Sequence, residues 1–178
     1  MHKHILSFVV VVFIVPMFYS DSSYAHNHST SRCPSFDRDE WNFTISAQIR
    51  GRIKQGFYTK KIVGEPKCDL LHADHIVSLN EAHILGGCFW SPLEKKNFVT
   101  DFDNLVPACS NINSSKGESL PADFLRKSYD GKGLDYDFAA GRWCEYLRRY
   151  ANVKKKYGLS FENNDADLFR ECGVFIKN

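Results

Sequence analysis

The chain has 178 residues, with 23 Lys and Arg against 21 Asp and Glu and a formal net charge of +2. So small an excess excludes a protein that holds nucleic acid by bulk charge alone; any attraction for phosphate has to come from local clustering. No internal repeat and no second-domain linker is visible, which leaves room for one domain with a real core.

Residues 1–25 have the form of a secretory signal. Lys3 supplies the positive start, Ile5 to Val15 the apolar stretch, and Ser23-Tyr24-Ala25 the small residues before a cut after Ala25. A retained membrane anchor is the alternative, but Pro16 and the short apolar run argue against a span. Losing Lys3 and Asp21 leaves 22 basic and 20 acidic side chains, so residues 26–178 keep the +2. The expected product is a secreted or periplasmic domain with no membrane attachment.

All six cysteines, Cys33, Cys68, Cys88, Cys109, Cys144 and Cys172, lie after that signal. An even count in an exported chain reads as three disulfides, and the lack of any Cys-x-x-Cys spacing argues against a structural zinc site. The polar tail with His26 and His28 reads as solvated. From Thr44 to Lys54 the residues Ile45, Ile49 and Ile53 recur at helical spacing, with Arg50, Arg52 and Lys54 on the other faces and Gly56 as the stop.

The stretch from 72 to 117 organises the rest. A carboxylate and an imidazole, Asp74-His75, precede two β-branched residues, Ile76-Val77, which predicts the pair at the end of a short strand. Leu105-Val106-Pro107-Ala108, after Asp103-Asn104, predicts a second. Between them, Ser78-Leu79-Asn80-Glu81 and Ser91-Pro92-Leu93-Glu94 are two capping boxes, each opening a helix, with Gly86-Gly87 ending the first. Glu81 therefore reads as a capping residue, and His83 as a helix-surface or packing residue. Ser110 is the expected N-cap of a helix carrying Asn113 and Lys116. Pro121 starts a further helix, and Asp130-Gly131-Lys132-Gly133 is a turn. Phe138, Trp143, Leu147 and Tyr150 then form a stripe that reads as core, with Arg148, Arg149, Lys154, Lys155 and Lys156 opposite it.

Three motifs in order, Asp74-His75-Ile76-Val77, Asp103-Asn104-Leu105 and Asn113-x-x-Lys116-Gly117, resemble those of the HNH (ββα-metal) nucleases. The run Arg142-Trp143-Cys144-Glu145-Tyr146, with Val153-Lys154 and Tyr157-Gly158-Leu159, is similar to the tail of an exported subgroup, so the resemblance spans roughly 65–175. It implies an α+β fold: a small ββα-metal core of a two-strand hairpin and a helix, surrounded by additional helices, with the motif core at 68–128 and a helical extension at 134–178. It also implies a metal-dependent endonuclease cutting nucleic acid, DNA with little sequence selectivity or RNA, as a monomer. His75 would be the general base and Asn104 would hold the loop and the base in place. Asp74 and Asn113 would share one divalent cation. Asn113 stands where the family name puts a final His, and oxygen ligands favour magnesium or manganese over zinc. Lys116, Arg148 and Arg149 would meet the substrate.

Two other classes compete. A non-catalytic secreted nucleic-acid-binding module on the same fold should lack Asp74, His75 or Asn113, and all three are present. A zinc-dependent hydrolase could use His72, His75 and His83, although these lack helical i, i+4 pairing.

Position suggests disulfides. Cys144 and Cys172 would clamp the C-terminal helix back on the domain, Cys68 and Cys109 flank the two strands, and Cys33 is left with Cys88. Asn113-Ser114-Ser115, Asn27-His28-Ser29 and Asn42-Phe43-Thr44 are glycosylation sequons. A glycan on Asn113 would remove a proposed ligand, which favours a bacterial source.

Overall fold

The computed structural model describes residues 32–44, 54–126 and 142–177. The chain separates into two compact units, Met1–Ser31 and Arg32–Asn178. The first unit, and with it the signal segment, His26 and His28, lies outside the described residues. So do most of the helix expected between Thr44 and Lys54, the turn at 130–133, and Phe138.

The described part is α+β, as expected from the sequence. Strand β1 (Leu71–His75) is followed by helix α1 (Leu79–Ile84), a 3-10 turn at Gly87–Phe89, and helix α2 (Pro92–Thr100). Strand β2 (Leu105–Cys109) runs straight into helix α3 (Ser110–Lys116), and α4 (Pro121–Leu125), α5 (Trp143–Lys156) and α6 (Ala166–Glu171) complete the order. The two strands form an antiparallel pair with Asp74 opposite Val106 and His75 opposite Leu105. Pro107 fits because its ladder position needs only an acceptor: its carbonyl takes a hydrogen bond from Phe57 N–H at 2.7 Å.

The helix starts follow local chemistry. Ser91 and Glu94 exchange both hydrogen bonds of a capping box, with Pro92 in the first turn. Ser78 caps α1 by accepting from Glu81 N–H at 3.0 Å. Gly86 takes φ 111°, a conformation that favours glycine, to end that helix. Ser110 is the first residue of α3 rather than its cap; Cys109 occupies the N-cap and makes no side-chain bond there.

The core lies under the hairpin. Helix α5 turns Tyr146, Leu147, Tyr150 and Ala151 inward at 3.6-residue spacing, against Tyr58, Phe124 and Phe169. A second aromatic group gathers around the buried Trp41, whose ring meets Phe36, His83, Trp90 and Phe98. Trp41 closes a 3-10 turn, Arg38–Trp41, that the sequence pattern does not announce. His83 belongs to this group, as a packing role required: it is buried, and its Nε2 donates to Pro34 O at 2.9 Å.

Two charged residues depart from expectation. The Glu81 carboxylate does not complete a capping box; its Oε1 accepts from Tyr150 OH and from Lys154 Nζ, the latter at 2.7 Å. Lys154, expected on the outer face of α5, is 0 % exposed and turned into the core. The ion pair explains both, since a buried ammonium persists only beside a compensating charge.

Three disulfides are formed: Cys33–Cys88, Cys68–Cys109 and Cys144–Cys172. The second joins the approach to β1 to the end of β2. It also bears on Gly56, where an added Cβ would lie 2.8 Å from Cys109 Sγ, a close approach that favours glycine there. Among the described residues no helix is long and apolar enough to cross a membrane.

Candidate active site

A strand alternates its side chains, so Asp74 and His75 leave the end of β1 on opposite faces. His72 and Asp74 face α3, and His75 faces α2. The strand end is fixed from both sides. Ile76 and Val77, just beyond it, are fully buried, a contribution of about 1.5–3 kcal/mol each. Asn104 then holds this segment by three bonds. Its backbone carbonyl accepts from Ile76 N–H at 2.8 Å, its Oδ1 accepts from Val77 N–H at 2.8 Å, and its Nδ2 donates to Val77 O at 3.2 Å. At 0 % exposure Asn104 touches no solvent, so it positions the strand end and does not face the cleft.

His75 is half-buried, with Nε2 at 2.9 Å from Val99 O at the end of α2. A carbonyl can only accept, so Nε2 carries the proton and Nδ1 keeps the lone pair. Burial holds the imidazole below its ordinary range; the Val99 carbonyl and the Asp74 charge oppose that shift, while Lys116 and Arg38 reinforce it. His75 is therefore a neutral imidazole at neutral pH.

Asp74 is buried, and each carboxylate oxygen already has one donor. Tyr58 OH donates to Oδ2 at 2.6 Å, and Lys116 Nζ donates to Oδ1 at 3.2 Å. Burial, and then the Asp74 charge, push the Tyr58 hydroxyl well above its ordinary range, so it stays protonated and remains the donor. Lys116 is 1 % exposed, and its ammonium also donates to His75 O at 2.8 Å. This corrects the expectation that Lys116 meets the substrate: one turn after Asn113 on α3, it points under the hairpin and neutralises Asp74.

A cleft of about 260 Å³ opens over the strand end, lined by Asp74, His75 and Asn113 together with Arg38, Ser78 and Glu118. The Asn113 amide nitrogen lies 3.4 Å from His72 Nδ1, which leaves the amide oxygen as the donor atom for a ligand. The two expected arginines lie elsewhere. Arg149 donates to the carbonyls of Phe102 and Asp103 at 3.0 and 3.2 Å, and its guanidinium covers the Phe57 ring. Arg148 lines a separate cleft with Asn152, Lys155 and Phe175. Neither lines the Asp74–His75 cleft.

Among the described residues, no group of three or more His, Cys, Asp or Glu side chains is arranged around one point. His72, His75 and His83 in particular have separate partners: Asn113, Val99 O and Pro34 O. One carboxylate with a second lone pair on each oxygen, plus one amide oxygen, fits a hard cation that keeps most of its water, and does not fit zinc. Arg38 is the cleft residue that sequence reasoning missed. Its one signal was Asp37, an N-cap residue opening a short turn.

Comparison with protein-family models, curated proteins and solved structures returned no match.

Proposed function

We propose that the protein is an exported, metal-dependent endonuclease of the HNH type, built on a ββα-metal core formed by β1, β2 and α3. The observation that carries this reading is the convergence of Asp74, His75 and Asn113 on one cleft, from a strand end and a helix that lie far apart in sequence. His75 takes a proton from the attacking water at Nδ1, the nitrogen that its bond to Val99 leaves basic. Asn104 keeps the strand end, and so the imidazole, in register. Asp74 and Asn113 would hold one magnesium or manganese ion, which would supply charge relief at the phosphate and help for the departing oxygen. The substrate is nucleic acid, DNA first, cut with little sequence selectivity because the described residues hold no separate recognition module. Three disulfides support an oxidising location, secreted or periplasmic.

The alternative zinc hydrolase has no support in the geometry, since its three imidazoles have separate partners. The non-catalytic module is disfavoured because the base, the carboxylate and the amide all reach the cleft.

Oxidised protein should cut plasmid, linear DNA or RNA with magnesium or manganese and leave each intact with EDTA. Intact substrate under every metal condition refutes the reading. The ligand pair has its own check. Calorimetric titration should show weaker metal binding for both Asp74→Ala and Asn113→Ala, with partial retention for Asn113→His because imidazole also ligates. Unchanged affinity in both alanine variants removes the pair from the scheme.

A further inference from the structure

Four cations near the hairpin are already committed. Lys116 is buried on Asp74 and His75 O, Arg149 donates to two backbone carbonyls, Lys154 pairs with Glu81, and Lys156 bridges Asp101 and Asp103. Arg38 differs. It is exposed, it lines the cleft beside Asp74 and His75, and it is the only guanidinium or ammonium among the described residues lining that cleft. Glu118, the other carboxylate at the cleft besides Asp74, accepts from Asn80 Nδ2 at 2.7 Å. With Asp74 neutralised by Lys116, Arg38 is the group left to attract an anion.

A long arginine at an exposed turn is ordinarily mobile, but this turn is clamped on both sides. Before it, Cys33 is bonded to Cys88 and Pro34 O accepts from His83. After it, Glu40 pairs with Lys95 at 2.6 Å and Trp41 is buried in the aromatic group. Asp37 fixes the start of the turn by accepting from Asp39 N–H at 2.9 Å. Such fixing lowers the ordering cost that a surface arginine incurs when it binds.

We propose that Arg38 receives the phosphodiester of the bound nucleic acid, and that the Cys33–Cys88 clasp sets its place over the cleft; this rests on the nuclease reading of the same cleft. A guanidinium suits the task because its paired N–H groups match two phosphate oxygens.

The test separates binding from cutting. Fluorescence anisotropy with a short labelled DNA oligonucleotide in EDTA reads affinity across a salt series, and cleavage with magnesium or manganese is measured in parallel. Arg38→Ala should weaken binding about tenfold and lower the salt slope by about one unit, as expected for one lost phosphate contact. Arg38→Lys should restore the slope but not all of the affinity, because the charge returns without the paired donors. Cys33→Ser with Cys88→Ser should move affinity in the same direction, and should add little on top of Arg38→Ala. A wild-type affinity and slope in Arg38→Ala, with an unchanged melting temperature, overturns the proposal even if the protein cuts. Binding that depends on Arg38 without any cutting upholds the contact and refutes the nuclease reading. Absence of both binding and cutting in the wild-type protein refutes both.

Discussion

Replacing His75 by Ala should lower turnover by about 10²-fold or more, the range for losing a general base. The fold should hardly respond. His75 is half-buried, and its side chain's described hydrogen bond ends on Val99 O of α2, a helix that the buried Phe98 and Val99 side chains already hold in the core. The strand end stays pinned by Ile76, Val77 and the three bonds from Asn104. Metal affinity should also persist, because Asp74 and Asn113 are untouched. Steady-state cleavage, a thermal melt and a metal titration on the same purified variant decide the matter. Cleavage at the wild-type rate removes His75 from the mechanism, and a collapse of the melt would recast it as a structural residue.

The largest effect on stability should come from Lys154→Met. The substitution keeps the length of the side chain and its contact with the Tyr150 and Phe161 rings, but leaves the Glu81 carboxylate buried with only Tyr150 OH as a donor. Removing one partner of such a pair costs about 3–5 kcal/mol, which for a domain of this size lowers the melting temperature by roughly 10 °C. Burial lowers the Lys154 pKa, and the neighbouring Glu81 charge opposes that shift. The double variant Glu81→Gln with Lys154→Met should recover most of the loss, since Tyr150 OH can donate to the amide oxygen. Equal melting temperatures for Lys154→Met and wild type would show that the pair is not buried.

Lys154 also shows where sequence reading fails. Its position, four residues after Tyr150 and seven after Leu147, places it on the inward stripe of α5. Reading it by charge within a basic run put it on the wrong face. The period held the answer, but no local feature pointed to its partner Glu81, which lies in another helix. Lys116 is the same case: its destination is a carboxylate on β1. The capped helices were legible because a capping box is complete within four residues, as at Ser91–Glu94. The strands were legible from the apolar residues that follow or fill them. The disulfide pairs in the structure match those that placement beside the strands and the last helix suggests, because flanking positions on paired elements are close in space. The turn carrying Arg38 was not legible. Four residues have no period, and the burial of Trp41 depends on Trp90, Phe98 and His83, which come much later in the chain.

The Tyr58–Asp74–Lys116 arrangement bears on whether the fold would depend on a bound cation. With an ammonium already balancing the carboxylate and a phenol donating to its other oxygen, the hairpin carries no unmet negative charge that an ion must quench. Folding would then not depend on the cation that the nuclease reading proposes. On the nuclease reading, the chain would reach its final shape without the ion and take it up wherever magnesium or manganese is present. The signature is a melting curve that EDTA leaves within a degree or so of the loaded protein, unlike a zinc finger, whose fold is lost with its metal. A large fall in melting temperature on chelation would mean that the ion is part of the scaffold after all.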